Sequence, residues 1–216
     1  MRVVIIDYGS GNLNSVQKAF ERASQKHHRQ DDIILSNKAD DVLKADRIVL
    51  PGVGAYGDCM MGLKTLENMV EALNEAVQVR ARPFMGICVG MQLMANRGME
   101  KKQTLGLGWI DGDVTLINPT HSNLKIPHMG WNTVALTRPH PLFQNIHTGP
   151  SGSHAYFVHS YHMECKNPDN VLATTDYGGT LCAAILHDTM FGTQFHPEKS
   201  QKFGLTLIAN FLDWTP

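Results

Sequence analysis

Strand-like and helix-like segments alternate through the first half of the chain, and this alternation limits most strongly how the sequence can fold. Short runs rich in β-branched apolar residues occur at 2–7 (RVVIID), 31–36 (DDIILS) and 47–51 (RIVLP). Helical periodicity lies between them at 12–28 and near 38–44. Strands that alternate with helices form parallel sheets covered by helices. The first half is therefore predicted to be an α/β structure.

Capping and spacing predict the helix boundaries. Asn37 is predicted to cap the short helix near 38–44, because asparagine is a favoured N-cap residue. A longer helix is predicted up to Pro83, because apolar residues recur there at steps of three and four. Its buried face would consist of Leu63, Leu66, Val70, Leu73 and Val77. A final helix is predicted near 201–213, with an apolar face of Phe203, Leu207, Ile208, Phe211 and Leu212.

From about residue 109, strand-like segments are separated by turn residues with little helix between them. They are WIDGDVTLI (109–117), WNTVAL (131–136), HAYFVHSY (154–161), VLATTD (171–176), LCAAIL (181–186) and MFGTQF (190–195). The predicted fold is thus α/β, with a central, mostly parallel sheet flanked by helices and an additional antiparallel strand section. Because no linker or repeat interrupts the chain, residues 1–216 are predicted to form a single domain.

The composition argues against several classes of function. The chain has 19 basic and 20 acidic residues, a net charge of −1 and no long block of either sign, so nucleic acid and membrane surfaces are unfavoured as partners. No apolar stretch approaches a membrane span and the start lacks signal-peptide features, so a cytoplasmic protein is expected. The cysteines form no CxxC pair, which predicts free thiols. They are Cys59, Cys88, Cys165 and Cys182.

Neither a metal nor a cofactor is predicted. The eleven histidines, including the adjacent pair His27 and His28, show no ligand spacing such as HExxH. GSGNLN begins like a dinucleotide fingerprint but has Asn14 where the third glycine should stand. The polar segments at 24–30 and 118–124 are expected to be surface loops.

The segment PFMGICVGMQ places one cysteine between two glycines, directly after an apolar run. A buried strand is predicted at 83–87 and a helix that begins at 91–95, so Cys88 would lie on the turn between them. The pattern G-x-C-x-G, with Gly86 and Gly90, is that of a nucleophile elbow, whose sharp turn leaves no room for side chains at the glycine positions. The cysteine would be exposed at the carboxyl end of the strand, where the helix N-terminus favours a thiolate.

A second motif supplies a base for this cysteine. A lone cysteine or histidine in such a setting is more often structural. FGTQFHPEKS, however, places His196 and Glu198 at the end of another strand, where side chains two residues apart on extended backbone point the same way. Glu198 can fix the tautomer of His196 while the ring faces Cys88. The N–H of Val89 would face the developing oxyanion. The combination predicts a Cys-His-Glu triad.

Together, GICVGMQ (86–92) and QFHPEKS (194–200) resemble the class I, triad-type glutamine amidotransferases, whose cysteine attacks the side-chain amide of glutamine and releases ammonia. Further segments resemble the family of glutaminase subunits of imidazole glycerol phosphate synthase, an enzyme of histidine biosynthesis. They are DYGSGNLNSV (7–16), LPGVGAYG (50–57), KIPHMGWN (125–132) and YFVHSYH (156–162). The similarity runs from Val3 to Leu212 and implies a flavodoxin-like class I glutamine amidotransferase fold.

The resemblance also implies how the site is built. The N–H of Val53 would complete the oxyanion hole with that of Val89, and the glycines beside Val53 would let its peptide flip. The positions that match substrate-site residues of the family are Gly52, Gly54, Gly90, Gln92, Glu100, Ser160 and Tyr161. Without the resemblance, Gln92 would be interpreted as a solvent-facing helix residue.

A partner is implied as well. In the family, ammonia passes to a (βα)8-barrel cyclase that makes imidazole glycerol phosphate. Such a barrel needs about 250 residues, so the cyclase would be a separate chain in a heterodimer. The positions that match the docking face are Asn12, Asn14, Ser15, Met129, Trp131 and Lys199. Taken alone, Met129 and Trp131 would more often be core residues, although tryptophan is also a frequent interface anchor.

Two other classes of function stay open. A thiol redox sensor on the same scaffold would keep the elbow cysteine but needs neither the His-Pro-Glu motif nor a glutamine pocket. A catalytically silent binding subunit would only position a partner, and the intact set of Cys88, His196 and Glu198 argues against it. Release of glutamate or ammonia from glutamine separates these classes.

Overall fold

The computed structural model describes residues 1–26, 28–120 and 124–216. In chain order the strands are β1 (Arg2–Ile6), β2 (Asp32–Ser36), β3 (Arg47–Gly52), β4 (Phe84–Cys88), β5 (Ala95–Gly98), β6 (Thr104–Leu105), β7 (Ile110–Leu116), β8 (His128–Thr133), β9 (Ala135–Leu136), β10 (His154–His159), β11 (Tyr161–Cys165), β12 (Val171–Asp176), β13 (Thr180–His187) and β14 (Met190–Thr193). The helices are α1 (Leu13–Lys26), α2 (Ala39–Leu43), α3 (Tyr56–Thr65), α4 (Met69–Asn74), α5 (Val89–Gln92) and α6 (Gln201–Asp213). The surface loop predicted at 24–30 is wrong for its first three residues, because α1 continues to Lys26 and Ser24 is buried. His27 and residues 121–123 lie outside the described residues.

The largest sheet has the strand order β2-β1-β3-β4-β14-β13-β12-β9. Its first five strands are parallel, and the last three continue the sheet in antiparallel fashion. This confirms the predicted α/β fold. Parallel strands end at the same edge, and Gly52 at the end of β3 pairs in register with Cys88 at the end of β4. The chain that leaves β14 at this edge leads directly to His196, so the topology brings both predicted motifs together.

Two smaller sheets border the same edge. One has the order β11-β7-β5-β6, and the other is an antiparallel ribbon of β8 and β10. The ribbon carries residues 128–132 of the KIPHMGWN segment on β8, and the connection from β10 to β11 provides Ser160 and Tyr161. These sheets therefore supply the second wall of the site.

Helices α1 and α6 pack against each other beside the large sheet. The prediction for α6 is confirmed, and all five residues of its predicted apolar face are buried. No helix within the described residues is long and apolar enough to cross a membrane.

The prediction of one long helix up to Pro83 is wrong. The chain instead forms α3 and α4, separated at Asn68, whose φ of 55° breaks the helical hydrogen bonding, and a π-helical turn at Glu75–Val79 follows α4. The predicted cap at Asn37 is also wrong. The N-cap position is Lys38, and Ser36 ties the start of α2 by bonding to Asp41 at 2.6 Å.

The helix predicted to begin at 91–95 is replaced by a single turn. α5 ends at Gln92, and β5 begins at Ala95 and pairs in parallel with β7. A bidentate contact between Arg97 and Asp113, at 3.0 and 2.9 Å, holds this pairing. Tertiary strand pairing has overridden the local helical preference of this segment.

Candidate active site

Cys88 lies at the junction of β4 and α5 in a backbone conformation that L residues rarely adopt. Its φ is 54° and its ψ is −110°. A Cβ placed on Gly86 would lie 2.7 Å from the carbonyl oxygen of Gly90, and one placed on Gly90 would overlap the carbonyl oxygen of Leu50. Strain of this kind costs about 1–3 kcal/mol and persists only where the surrounding packing imposes it. The glycines therefore allow a turn sharp enough to present the sulfur at the sheet edge.

His196 follows β14 and is tied to Glu198. Nδ1 of His196 lies 2.8 Å from Oε1 of Glu198, and both side chains are 2% exposed. Glu198 sits on a 3₁₀ turn, Pro197–Lys199, rather than on the extended backbone that the sequence predicts. The short turn still brings the carboxylate under the ring. Nε2 of His196 is buried and has no hydrogen-bond partner in the described part of the chain, which leaves it available for the reaction.

The charge state of His196 depends on competing effects. Burial lowers the pKa of its imidazole, but the interactions with Cys88 and Glu198 outweigh burial and raise this pKa to about 10. Such a ring takes up a proton readily beside a thiol. This is the property that a base needs in order to generate a thiolate.

A cavity of about 300 Å³ opens at this edge. It is lined by Val53, Gly54, Cys88, Val89, Gln92, Glu100, Pro127, Val158, His159, Ser160, Tyr161 and His196. The cysteine, the histidine and most of the predicted substrate-site residues thus meet in one space. The arrangement suits attack of a sulfur on a small polar substrate.

The family model described as glutamine amidotransferase class-I matches residues 4–214. The chain belongs to the class-I glutamine amidotransferase family. Similar curated proteins are named imidazole glycerol phosphate synthase subunit HisH. They come from Mesorhizobium japonicum (60% identical), Agrobacterium fabrum (58%) and Rhodopseudomonas palustris (56%), each over 216 residues and 100% of both chains.

Solved structures agree with this class-I fold. A crystal structure described as a glutamine amidotransferase has a TM-score of 0.71 at 15% identity, and the match covers 97% of both chains. The structure of PurLQS from Thermotoga maritima has a TM-score of 0.69 at 19% identity, over 98% of this chain and 97% of that chain. At these identities the likeness shows the fold alone.

The loop predicted to complete the oxyanion hole of this amidotransferase is held by Ser10. The N–H of Val53 donates to Oγ of Ser10 at 3.3 Å, and the same hydroxyl donates to the Val53 carbonyl at 2.6 Å. Ser10 does not line the cavity, so this N–H is engaged elsewhere. Gly54 has a φ of 96° and open space around it, whereas a Cβ on Gly52 would lie 2.7 Å from the Tyr8 hydroxyl. Conformational freedom therefore resides at Gly54, and Gly52 serves close packing.

The predicted substrate residues divide into two groups. Gln92, Glu100, Ser160 and Tyr161 line the cavity, as does Gly54. Gly52 and Gly90 do not line it, because they pack closely where β3 meets the elbow. Gln92 is buried and its amide donates to the carbonyl of Tyr161 at 2.9 Å, so it does not face solvent. Glu100 accepts a hydrogen bond from the N–H of Tyr56 at 2.8 Å, which fixes the carboxylate at the start of α3.

The residues predicted for docking lie on the surface. Met129 is 62% exposed and Trp131 is 47% exposed, so their interpretation as core residues is wrong. The two residues lie two positions apart on β8, and the ring of Trp131 packs edge-on against that of Tyr156, with 5.7 Å between the ring centroids. Nζ of Lys199 lies 5.7 Å from the same Tyr156 ring. Asn12 and Asn14 are exposed and Ser15 is partly buried. Exposed aromatic and methionine side chains are typical of an interface.

Gln194, His128 and His159 contribute to this site and were not predicted from the sequence. Gln194 is fully buried between Gln92 and Cys88, and only its place in the HPE motif segment pointed towards it. His159 lines the cavity and forms a buried pair with His128, with 3.0 Å between their facing nitrogens. Their spacing in the sequence carries no signal of that contact.

Proposed function

We propose that this chain is the glutaminase subunit of an imidazole glycerol phosphate synthase, with residues 1–216 acting as one glutamine amidotransferase domain. It would hydrolyse L-glutamine to glutamate and ammonia and supply the ammonia to histidine biosynthesis in the cytoplasm. Full-length identity of 56–60% to proteins named HisH supports this assignment. The observation that carries it is a strained Cys88 that shares one cavity with His196, the partner of Glu198.

The first half-reaction makes a thioester. His196 takes the thiol proton, and the sulfur of Cys88 attacks the side-chain amide carbon of glutamine to form a C–S bond. The amide oxygen becomes an oxyanion that accepts hydrogen bonds from the N–H groups of Val89 and Val53. Each such donor contributes about 3–4 kcal/mol. The protonated His196 then passes its proton to the amide nitrogen as the C–N bond breaks, and ammonia leaves.

The second half-reaction releases glutamate. Water attacks the thioester carbon while His196 accepts one of its protons, and the same N–H groups bind the second oxyanion. The C–S bond then breaks, and the proton on His196 returns to the sulfur of Cys88. Throughout, Glu198 holds the ring so that Nε2 faces the reacting atoms.

Ammonia would pass to a separate (βα)8-barrel cyclase. The exposed face formed by Met129, Trp131 and Lys199 lies on β8 and on the turn that carries Glu198, so a partner seated there would cover the site. We propose that this face, with Asn12, Asn14 and Ser15, forms the interface of the heterodimer. The Ser10–Val53 contact suggests that one oxyanion donor is withheld until the partner binds.

The test is glutamate release from glutamine by the chain alone and with the cyclase subunit and its nucleotide substrate. The proposal predicts glutamate formation that is stimulated by the liganded partner and is abolished in His196→Ala but retained in His154→Ala, a change at an exposed histidine. A thiol redox sensor would release no glutamate under any of these conditions. A silent binding subunit would stimulate the partner without glutamine turnover.

A further inference from the structure

Gln194 connects the nucleophile to the substrate wall of the cavity. It lies immediately after β14 and has no exposed surface. Its Nε2 lies 3.7 Å from the sulfur of Cys88, within hydrogen-bond range for sulfur. Its Oε1 lies 3.0 Å from Nε2 of Gln92. A buried amide with hydrogen bonds to two site residues indicates a part in the reaction rather than packing alone.

The orientation of this amide follows from a fixed point in the backbone. The carbonyl oxygen of Tyr161 can only accept hydrogen bonds, so the atom of Gln92 that faces it at 2.9 Å must be the NH₂ group. The same NH₂ group faces Gln194, which must therefore present its oxygen. The NH₂ group of Gln194 then points at the sulfur of Cys88. A flipped amide would oppose two donors and leave the sulfur without one.

We infer that Gln194 is a further catalytic residue, whose amide donates a hydrogen bond to the sulfur of Cys88 and holds the amide of Gln92 in place. The inference rests on the proposed glutaminase function. A donor at the sulfur favours the thiolate over the thiol before attack, and it stabilises the same thiolate when the thioester breaks. No proton is transferred to or from Gln194 in either step.

The second effect of Gln194 concerns substrate binding. Both hydrogens of the Gln92 amide are used, one by Tyr161 and one by Gln194. The carbonyl oxygen of Gln92 therefore remains to accept a hydrogen bond from the ligand. An acceptor at this position can bind the α-ammonium group of an amino acid, and it disfavours a carboxylate there. Gln194 thus sets the polarity of the residue that meets the substrate.

Two substitutions separate these effects. Gln194→Met keeps the volume but removes both hydrogen bonds. Gln194→Glu keeps an acceptor for Gln92 and replaces the donor at the sulfur with a carboxyl group, whose ionised form also opposes the thiolate. The matched control is Thr193→Val, because Thr193 is equally buried but donates to the carbonyl of Phe195 at 3.0 Å instead. The first readout is the rate at which iodoacetamide alkylates Cys88 in the full-length chain, measured by peptide mapping from pH 6 to 10.

At pH 6.5 we expect alkylation of Cys88 to slow about 10-fold in both Gln194 variants, since a hydrogen bond to an ionised group is lost. The plateau rate at high pH should stay within about twofold of wild type. In the complex with the cyclase, both variants should lose kcat, and only Gln194→Met should also raise KM for glutamine. Thr193→Val should match wild type in each measurement.

The outcomes distinguish failure of this inference from failure of the proposed function. If wild-type complex releases glutamate but both Gln194 variants keep wild-type alkylation profiles and kinetics, Gln194 is only a packing residue. If the wild-type complex itself releases no glutamate, the proposed function is wrong, and the alkylation profile still reports whether Gln194 acts on the sulfur. An equal loss in Thr193→Val would assign the effect to packing and overturn the inference.

Discussion

Mild acid should destabilise this protein through two buried histidines. His128 and His159 are 3% and 6% exposed. Nδ1–H of His159 donates to the carbonyl of Tyr161 at 2.9 Å, so Nε2 of His159 accepts from Nδ1–H of His128 at 3.0 Å. The amide of Asn132 occupies the remaining nitrogen of His128 at 3.2 Å. The two accepting nitrogens, Nε2 of His159 and Nε2 of His128, can accept only while their rings are neutral. Burial accordingly lowers the pKa of His128 to about 4 and that of His159 to about 3.

The direction and size of the effect follow from proton linkage. A histidine in the unfolded chain has a pKa near 6.5, so below this pH the unfolded state binds protons that the folded state excludes. The stability that the neutral rings contribute is present above pH 6.5 and is lost as the pH falls towards their folded pKa values. Between pH 7 and pH 5, each ring should lower the free energy of unfolding by about 2 kcal/mol, and the pair by about 4 kcal/mol.

Three other histidines also affect how the free energy of unfolding depends on pH. Burial also lowers the pKa values of His140 and His162, which makes the loss in acid steeper. His196 acts oppositely, because its pKa is raised to about 10. Its stabilisation is fully present below pH 6.5 and is lost as the pH rises through 10, so it changes little in the acid range.

The substitution His128→Phe isolates one ring. His128 stacks between Tyr177 and Phe157, with ring centroids 4.1 and 4.7 Å away, so a phenyl ring fits but cannot titrate. We expect a loss of about 1–3 kcal/mol at pH 7, because the partners of His128 are left unpaired. Urea unfolding from pH 8 to 5 should then show that wild type loses about 2 kcal/mol more than the variant between pH 7 and 5.

The control for this series is His154→Gln, because His154 is exposed. Its stability should follow the wild-type pH dependence. The reasoning is refuted if wild type and His128→Phe lose stability in parallel between pH 7 and 5. In that case the buried pair would not control acid unfolding.

Three further outcomes are expected. Trp131→Ala should weaken binding of the cyclase by about 2–4 kcal/mol in calorimetric titration, and wild-type affinity would exclude β8 from the interface. Gly90→Ala should lower stability by at least about 1–3 kcal/mol in thermal unfolding, because its Cβ overlaps the Leu50 carbonyl; an unchanged midpoint would contradict the elbow geometry. The liganded partner should raise kcat of the glutaminase about 10²- to 10³-fold with little change in KM, since it supplies the Val53 donor; activation through KM alone would contradict this.

Local patterns in the sequence were sufficient to predict those elements whose structure depends on a single short segment. The β-branched runs at 2–7, 31–36 and 47–51 became strands β1, β2 and β3, and the apolar spacing at the end of the chain became α6. The glycines around Cys88 likewise predict the sharp turn, because backbone crowding within a few residues requires them. Periods of two and 3.6 residues and steric exclusion act over short stretches, so they can be recognised without the fold.

Such local patterns could not predict contacts between segments that are distant in the sequence. The strand β5 arises because pairing with β7 outweighs the helical periodicity of its segment. The break before α4 depends on the left-handed backbone of Asn68, which the apolar spacing does not reveal. The pair His128–His159 joins residues 31 apart, and Gln194 meets Cys88 across 106 positions. Their chemistry depends on burial and on which amide atom faces which partner. These quantities exist only once the sheets have assembled.

The claim that Cys88 is the nucleophile is tested most directly by comparing two nitrogen sources in the complex with the cyclase. Formation of imidazole glycerol phosphate is measured with glutamine and, separately, with ammonium salts. The variants are Cys88→Ala and, as a cysteine control outside the cavity, Cys165→Ala. The account predicts that Cys88→Ala loses glutamine-dependent synthesis but keeps ammonium-dependent synthesis near the wild-type rate, while Cys165→Ala keeps both. Glutamine-dependent synthesis by Cys88→Ala at near wild-type rate would contradict it.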